Sequence, residues 1–212
     1  MKNKKMNPIL PDFYRTLESQ ELEKRILEKK KQYGSKLVIL GHHYQRDAVI
    51  EFADLRGDSL ELCQKAAKQD EADYIVFCGV LFMAESADIL SADHQIVQIP
   101  DPTAGCPLAD FANIEQVEHA WEMIQSVNSG EKVIPITYIN SDAELKAFCG
   151  RHDGITCTSS NAKKIIQWAL EKYDKIFFFP DQHLGRNTAS SMGIPPEQII
   201  LWDEENFTAD AI

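Results

Sequence analysis

Apolar residues along this chain fall into short continuous runs separated by longer stretches in which they recur every three or four positions. The runs Leu37–Gly41, Tyr74–Cys78, Gln95–Ile99, Val133–Ile139, Lys175–Phe179 and Gln198–Trp202 have strand length and are rich in β-branched and aromatic residues. Helical spacing marks Ser59–Lys68, Met83–Leu90, Ile114–Val127, Ala143–Phe148 and Asn161–Tyr173. Before them, Ser19–Tyr33 is charge-rich with Leu22, Ile26 and Leu27 on one side, which predicts an exposed amphipathic helix. Largely apolar strand runs alternating with helices predict an α/β fold whose parallel sheets are covered on both faces.

The pattern repeats. KLVILGHHY (Lys36–Tyr44) overlays KVIPITYIN (Lys132–Asn140), DYIVFCGV (Asp73–Val80) overlays DKIFFFPD (Asp174–Asp181), and QIVQIP (Gln95–Pro100) overlays QIILWD (Gln198–Asp203). The spacing between matched pieces grows slowly along the chain, as a duplication with small loop insertions would give. The expected architecture is therefore a pair of repeated three-layer αβα domains. An N-terminal helical extension would occupy 1–34, the first domain 35–104 and the second 105–212, with a junction near the Pro/Gly-rich Asp101–Pro107. Strand exits of both domains are expected to face one cleft.

Composition narrows the class. The chain has 212 residues, 44% hydrophobic and 26% charged, as in an ordinary globular protein. A net charge of −11 argues against a nucleic-acid or anionic-membrane surface as main partner. No apolar run approaches the roughly 20 residues of a membrane span, and the start reads as no signal peptide. The five cysteines, an odd number, point to reduced thiols and a cytoplasmic setting.

Candidate chemistry gathers at strand ends, where open parallel sheets bind ligands. His42 and Tyr44 stand two apart after the first strand, so an extended chain points them to one face. The overlay sets His42 against Tyr138 and Tyr44 against Asn140. Such pairs suit proton transfer or carboxylate binding better than they suit a strand end with merely satisfied polar groups. Ser59 and Ser159 each precede a helical pattern, where free N–H groups and a hydroxyl make an anion site or a plain cap. Gly57-Asp58-Ser59-Leu60 also spells a serine-hydrolase signature, but no Asp here has His three residues later. Among the cysteines, Cys63, Cys78 and Cys149 read as packing residues, and Cys157 as a possible site wall beside Ser159. Cys106, in a loop before Pro107, has the setting of an iron–sulfur ligand, although one cysteine is not a site.

Taken in order, GHHYQ at Gly41, GDSL at Gly57, GVLFMAES at Gly79, DPTAGCPLAD at Asp101, YIN at Tyr138, CTSSNA at Cys157 and PDQHLGRNT at Pro180 resemble the quinolinate synthases, in the family's longer variant. The resemblance runs from about Leu37 to the end of the chain. It implies a transferase of NAD biosynthesis that condenses iminoaspartate with dihydroxyacetone phosphate, with a functional link to L-aspartate oxidase. It implies three similar αβα domains around a pseudo-three-fold axis and a 4Fe–4S cluster held by one cysteine from each. Carried over by motif, Cys106 is a cluster ligand, His42 and Tyr44 are catalytic, and His42, Ser59, Tyr138, Ile139, Asn140 and Ser159 contact substrate.

One departure matters. The family continues past Trp202 into a third domain that carries the remaining cluster ligands. This chain is therefore expected to be a truncated piece, inactive when isolated. A non-catalytic phosphometabolite-binding fragment and one subunit of a split enzyme remain as alternatives.

Overall fold

The structure, a computed structural model, describes residues 11–202. Its helices are α1 (Asp12–Arg15), α2 (Ser19–Tyr33), α3 (Asp47–Ile50), α4 (Ser59–Ala66), α5 (Leu81–Leu90), α6 (Ile114–Val127), α7 (Ala143–Arg151), α8 (Ala162–Leu170) and α9 (Gln182–Ser191). Its strands are β1 (Leu37–His42), β2 (Leu55–Gly57), β3 (Tyr74–Cys78), β4 (Ile96–Gln98), β5 (Val133–Tyr138), β6 (Ile155–Cys157) and β7 (Lys175–Phe179). The chain divides between Gly105 and Cys106 into two compact units.

The first unit holds a four-stranded parallel sheet in the order β2-β1-β3-β4. Its central strand β1 is buried from Val38 onward, which is why it reads as an unbroken apolar run. Leu62, Cys63 and Ala66 of α4 and Phe82, Met83 and Ala87 of α5 complete the core. Helix α2 buries no residue and is tied to this unit by Lys30, whose ammonium donates to the Phe52 carbonyl at 2.6 Å and to Asp54 at 2.7 Å.

The second unit holds a parallel sheet in the order β6-β5-β7. One face packs Ile134, Ile136 and Cys157 on Ala162, Ile166 and Ala169 of α8. The opposite face sets Phe179 against Val117, Leu145, Phe148 and Cys149 of α6 and α7. These layers make it a three-layer αβα unit. Helix α6 starts at a capping box in which Gln116 N–H donates to Asn113 Oδ1 (2.9 Å) and Asn113 N–H to Gln116 Oε1 (3.1 Å).

The two sheets share a register. Leu37 faces Tyr74 as Val133 faces Lys175, Leu40 faces Leu55 as Ile136 faces Ile155, and His42 faces Gly57 as Tyr138 faces Cys157. The expected matches of β1 with β5 and of β3 with β7 are therefore structural equivalences.

The third match fails. Gln198 ends a 3-10 turn that Pro195 and Pro196 initiate, and Ile199–Trp202 form no strand. The fixed φ of two prolines and a missing N–H favour the turn, and the turn closes when Gln198 and Ile199 N–H groups donate to Pro195 and Pro196 carbonyls. Asp203, the last residue of that overlay, lies outside the described residues. The pattern also missed β2 and β6, three-residue edge strands carrying Arg56 and Thr156, and it assigned no helix at α9.

Candidate functional site

At the end of β1 the chain turns back on itself, with Gln45 N–H donating to the His42 carbonyl at 2.9 Å. Gly41 lets the segment that follows this turn pack against the strand, because a Cβ there would run into Ile50 and Ala53. The turn stacks the His42 ring on Tyr44, centroids 3.9 Å apart, and beside His43 at 4.2 Å. His42 is buried (6% exposed), whereas the Tyr44 ring is 52% exposed with its hydroxyl 3.9 Å from Met83 Sδ. His43 lies outward, Nδ1 3.2 Å from the Gly57 carbonyl.

Burial pushes the His42 imidazole down to about 4; neighbouring His43 adds to the shift and Asp58 opposes it. At neutral pH the ring is uncharged. Tyr44 N–H approaches His42 Nδ1 at 3.4 Å, which assigns the acceptor role to Nδ1 and leaves the proton on Nε2. The pair thus combines a neutral imidazole donor with an exposed phenol.

Ser59 is the first residue of α4 and is half-buried, but it is not the cap. Asp58 holds that place, accepting Glu61 N–H at 2.9 Å. Ser159 likewise stands outside its helix, in the turn before α8. Asn161 Oδ1 accepts Thr158 N–H there at 2.7 Å, and Ser159 is exposed. Neither serine hydroxyl is spent on capping.

In the second unit the corresponding exit presents Tyr138, Ile139 and Asn140. Tyr138 is half-buried and within hydrogen-bonding reach of the Ser159 hydroxyl; burial raises its phenol above the usual range, with Cys106, Asp181 and Cys157 adding to the rise and Ser159 opposing it. Asn140 Nδ2 lies 3.5 Å from Cys106 Sγ. Ile139 is different. Its side chain is buried, its N–H donates to the Cys157 carbonyl (2.8 Å), and its own carbonyl accepts Ser141 N–H (2.9 Å). It spaces its two neighbours.

Three further residues build this exit, of which the sequence reading missed Thr137 and Ser141. Thr137 and Ser141 form a buried hydroxyl pair, and Asp181 is a buried carboxylate that caps α9 by accepting His183 N–H at 2.8 Å. His183 and Arg186, on that helix, are exposed. Thr137 sits inside an apolar strand and Ser141 directly follows YIN, so only their burial distinguishes them from ordinary polar residues.

The thiols separate by burial. Cys63, Cys149 and Cys157 are buried, and burial pushes Cys149 and Cys157 up to about 12. Cys78, half-buried, is also raised by burial. Cys106 sits in a loop, half-buried, its carbonyl accepting Ala109 and Asp110 N–H groups. Among the described residues no three His, Cys, Asp or Glu side chains gather to hold a metal ion. A four-iron cluster takes several thiolates, so these residues suit one ligand position and do not form a cluster cradle by themselves.

The sequence of residues 24–209 matches the family described as NadA, quinolinate synthetase A protein. The chain belongs to that family. It is 57% identical over 194 residues to a quinolinate synthase of Anoxybacillus flavithermus, covering 92% of this chain and 53% of that protein. It is 55% identical over 196 residues to one of Halalkalibacterium halodurans (92% and 53%) and 52% identical over 200 residues to one of Bacillus subtilis (94% and 54%). The chain thus spans about half the length of the curated relatives it matches. The repeated αβα units fit family membership. Among the described residues no helix is long and apolar enough to cross a membrane.

Proposed function

We propose that this chain supplies two strand-exit sites of a quinolinate synthase, the enzyme that condenses iminoaspartate with dihydroxyacetone phosphate and releases phosphate and water. The observation that carries the reading is the neutral, buried His42 stacked beneath the exposed Tyr44 at the end of β1, in a chain of this family. Condensation to an aromatic ring needs repeated proton movement along a three-carbon chain. His42 Nε2–H donates to a substrate oxygen and holds it, since a ring that protonates only near pH 4 is no cationic acid at neutral pH. The Tyr44 hydroxyl exchanges the proton.

Tyr138 and Asn140 bind substrate carboxylates through O–H and N–H donors, with Ile139 setting the spacing between them. Ser59 and Ser159 bind phosphate or carboxylate groups, a role their uncommitted caps leave open. Cys106 supplies one ligand of a 4Fe–4S cluster, with Asn140 donating to its sulfur. The substrate supplier is an L-aspartate-oxidising enzyme.

The test uses the natural full-length protein, purified without oxygen, with quinolinate assayed from iminoaspartate and dihydroxyacetone phosphate. Turnover is expected, and its absence in the cluster-loaded protein overturns the reading. The 212-residue chain, supplied with iron and sulfide, is expected neither to retain stoichiometric iron nor to turn over.

A further inference from the structure

The end of β5 is held by a device that the end of β1 lacks. Thr137 and Ser141 are both 0% exposed. Ser141 Oγ donates to the Tyr138 carbonyl at 2.7 Å, and Thr137 Oγ1 donates to Ser141 Oγ at 3.1 Å. The Ser141 carbonyl in turn accepts the Lys146 ammonium. Ser141 N–H is directed to Ile139 (2.9 Å), and Ile139 N–H to Cys157 on β6 (2.8 Å). The backbone from Tyr138 to Ser141 is therefore tied on both sides of Asn140.

By register the equivalents of Thr137 and Ser141 in the first unit are Gly41 and Gln45. There the backbone closes its own turn, Gln45 N–H to the His42 carbonyl. In the second unit the same carbonyl is taken by a side chain, which frees Ser141 N–H for Ile139 and opens the turn. Buried hydroxyls are costly unless bonded, and both of these are fully buried. Stability alone would be met by apolar side chains of similar shape. What the hydroxyls add is direction.

We infer that Ser141 and Thr137 are positioning residues of the second strand exit, setting the orientation of Tyr138 and of Asn140 against Cys106. The inference rests on the reading that Tyr138 and Asn140 meet substrate, but the geometry itself can be tested without turnover. In the 15N-labelled 212-residue chain, the Asn140 side-chain amide and the Tyr138 ring are followed by NMR alongside thermal melting. Ser141→Ala and Thr137→Val should shift both sets of resonances, and Thr137→Ser, which keeps the hydroxyl, should restore them. Ile166→Val, a core change in the same unit on the α8 side, should lower the melting temperature without moving Asn140. If Thr137→Val and Ser141→Ala merely melt earlier, with the Asn140 and Tyr138 signals in place, the hydroxyls are packing and the inference is wrong. Should Ser141→Ala fail to fold, the contrast of Thr137→Val with Thr137→Ser decides alone. A failure of quinolinate formation would leave this readout unaffected.

Discussion

The two units solve one problem twice and differ in how. Beside β1, Ile39 N–H donates to the Asp54 carboxylate at 2.8 Å, and Asp54 N–H returns to the Ile39 carbonyl. The register places Pro135 and Gly154 at these positions in the second unit. Proline has no N–H to satisfy, so no carboxylate is needed. Glycine is needed instead, because a Cβ at 154 would run into the Pro135 carbonyl and meet its ring at 2.8 Å. One unit joins strand to loop with a charged hydrogen bond, the other by close packing. The same division governs the exits, a backbone turn at His42 and a hydroxyl pair at Tyr138. A shared register therefore does not imply shared local chemistry, and equivalent residues are free to take different roles.

The largest expected effect separates the exits by function. Tyr44→Phe in the natural full-length protein should lower quinolinate formation by roughly 10²–10⁴-fold, the range of one proton-transfer group, with melting behaviour retained. Near-normal turnover would leave Tyr44 a stacking partner for His42.

Next comes the strand-to-loop joint. Gly154→Ala should destabilise the chain by about 1–3 kcal/mol in chemical denaturation, since the obstruction is backbone and a proline ring. Asp54→Ala, which strips the Ile39 N–H of its acceptor and Lys30 of its carboxylate, should fall in a similar range of about 1–3 kcal/mol. If Gly154→Ala is neutral while Asp54→Ala is costly, the close-packing account of the second joint fails.

A smaller effect depends on pH. The unfolded chain gains a proton on His42 near 6.5, while the folded chain refuses it until about 4. The unfolded state therefore binds more protons between these values, and stability falls as pH drops from 6.5 toward 4. His42→Gln should flatten that part of the denaturation profile, measured against the parent chain. Tyr138, raised rather than lowered, stays neutral throughout, so Tyr138→Phe should leave the slope unchanged.

The smallest effect concerns the serines. Because Asp58 caps α4, Asp58→Ala should cost on the order of 1 kcal/mol, whereas Ser59→Ala and Ser159→Ala should stay within about 0.5 kcal/mol. Either serine variant losing more than Asp58→Ala in a thermal melt would make it structural and weaken its assignment to anion binding.

Much of this was legible because burial leaves a local trace. β1, β3, β5 and β7 are apolar over most of their length, and α2 and α6 carry the helical period within the residues where they form. The pairing of His42 with Tyr138 followed from aligning those runs. Other elements left no such trace. β2 and β6 are three-residue edges whose middle positions are Arg56 and Thr156, and α9 begins QHLGRNT, with no buried residue. The run at 198–202 looks as apolar as β4, yet prolines divert it.

What the sequence alone determined is the order of the longer strands and of most helices, the repeated register and the polar residues at each strand exit, since apolar period and run length record burial directly. Tertiary structure decided which short segments became strands, because a strand exists only where a neighbour answers its N–H and C=O groups. It also decided that Asp58 and not Ser59 caps α4, that Cys157 is buried while Cys106 is not, and that Ser141 turns inward to hold Tyr138. Each depends on atoms distant in the chain meeting within a hydrogen bond's length, and no local pattern of residues encodes that meeting.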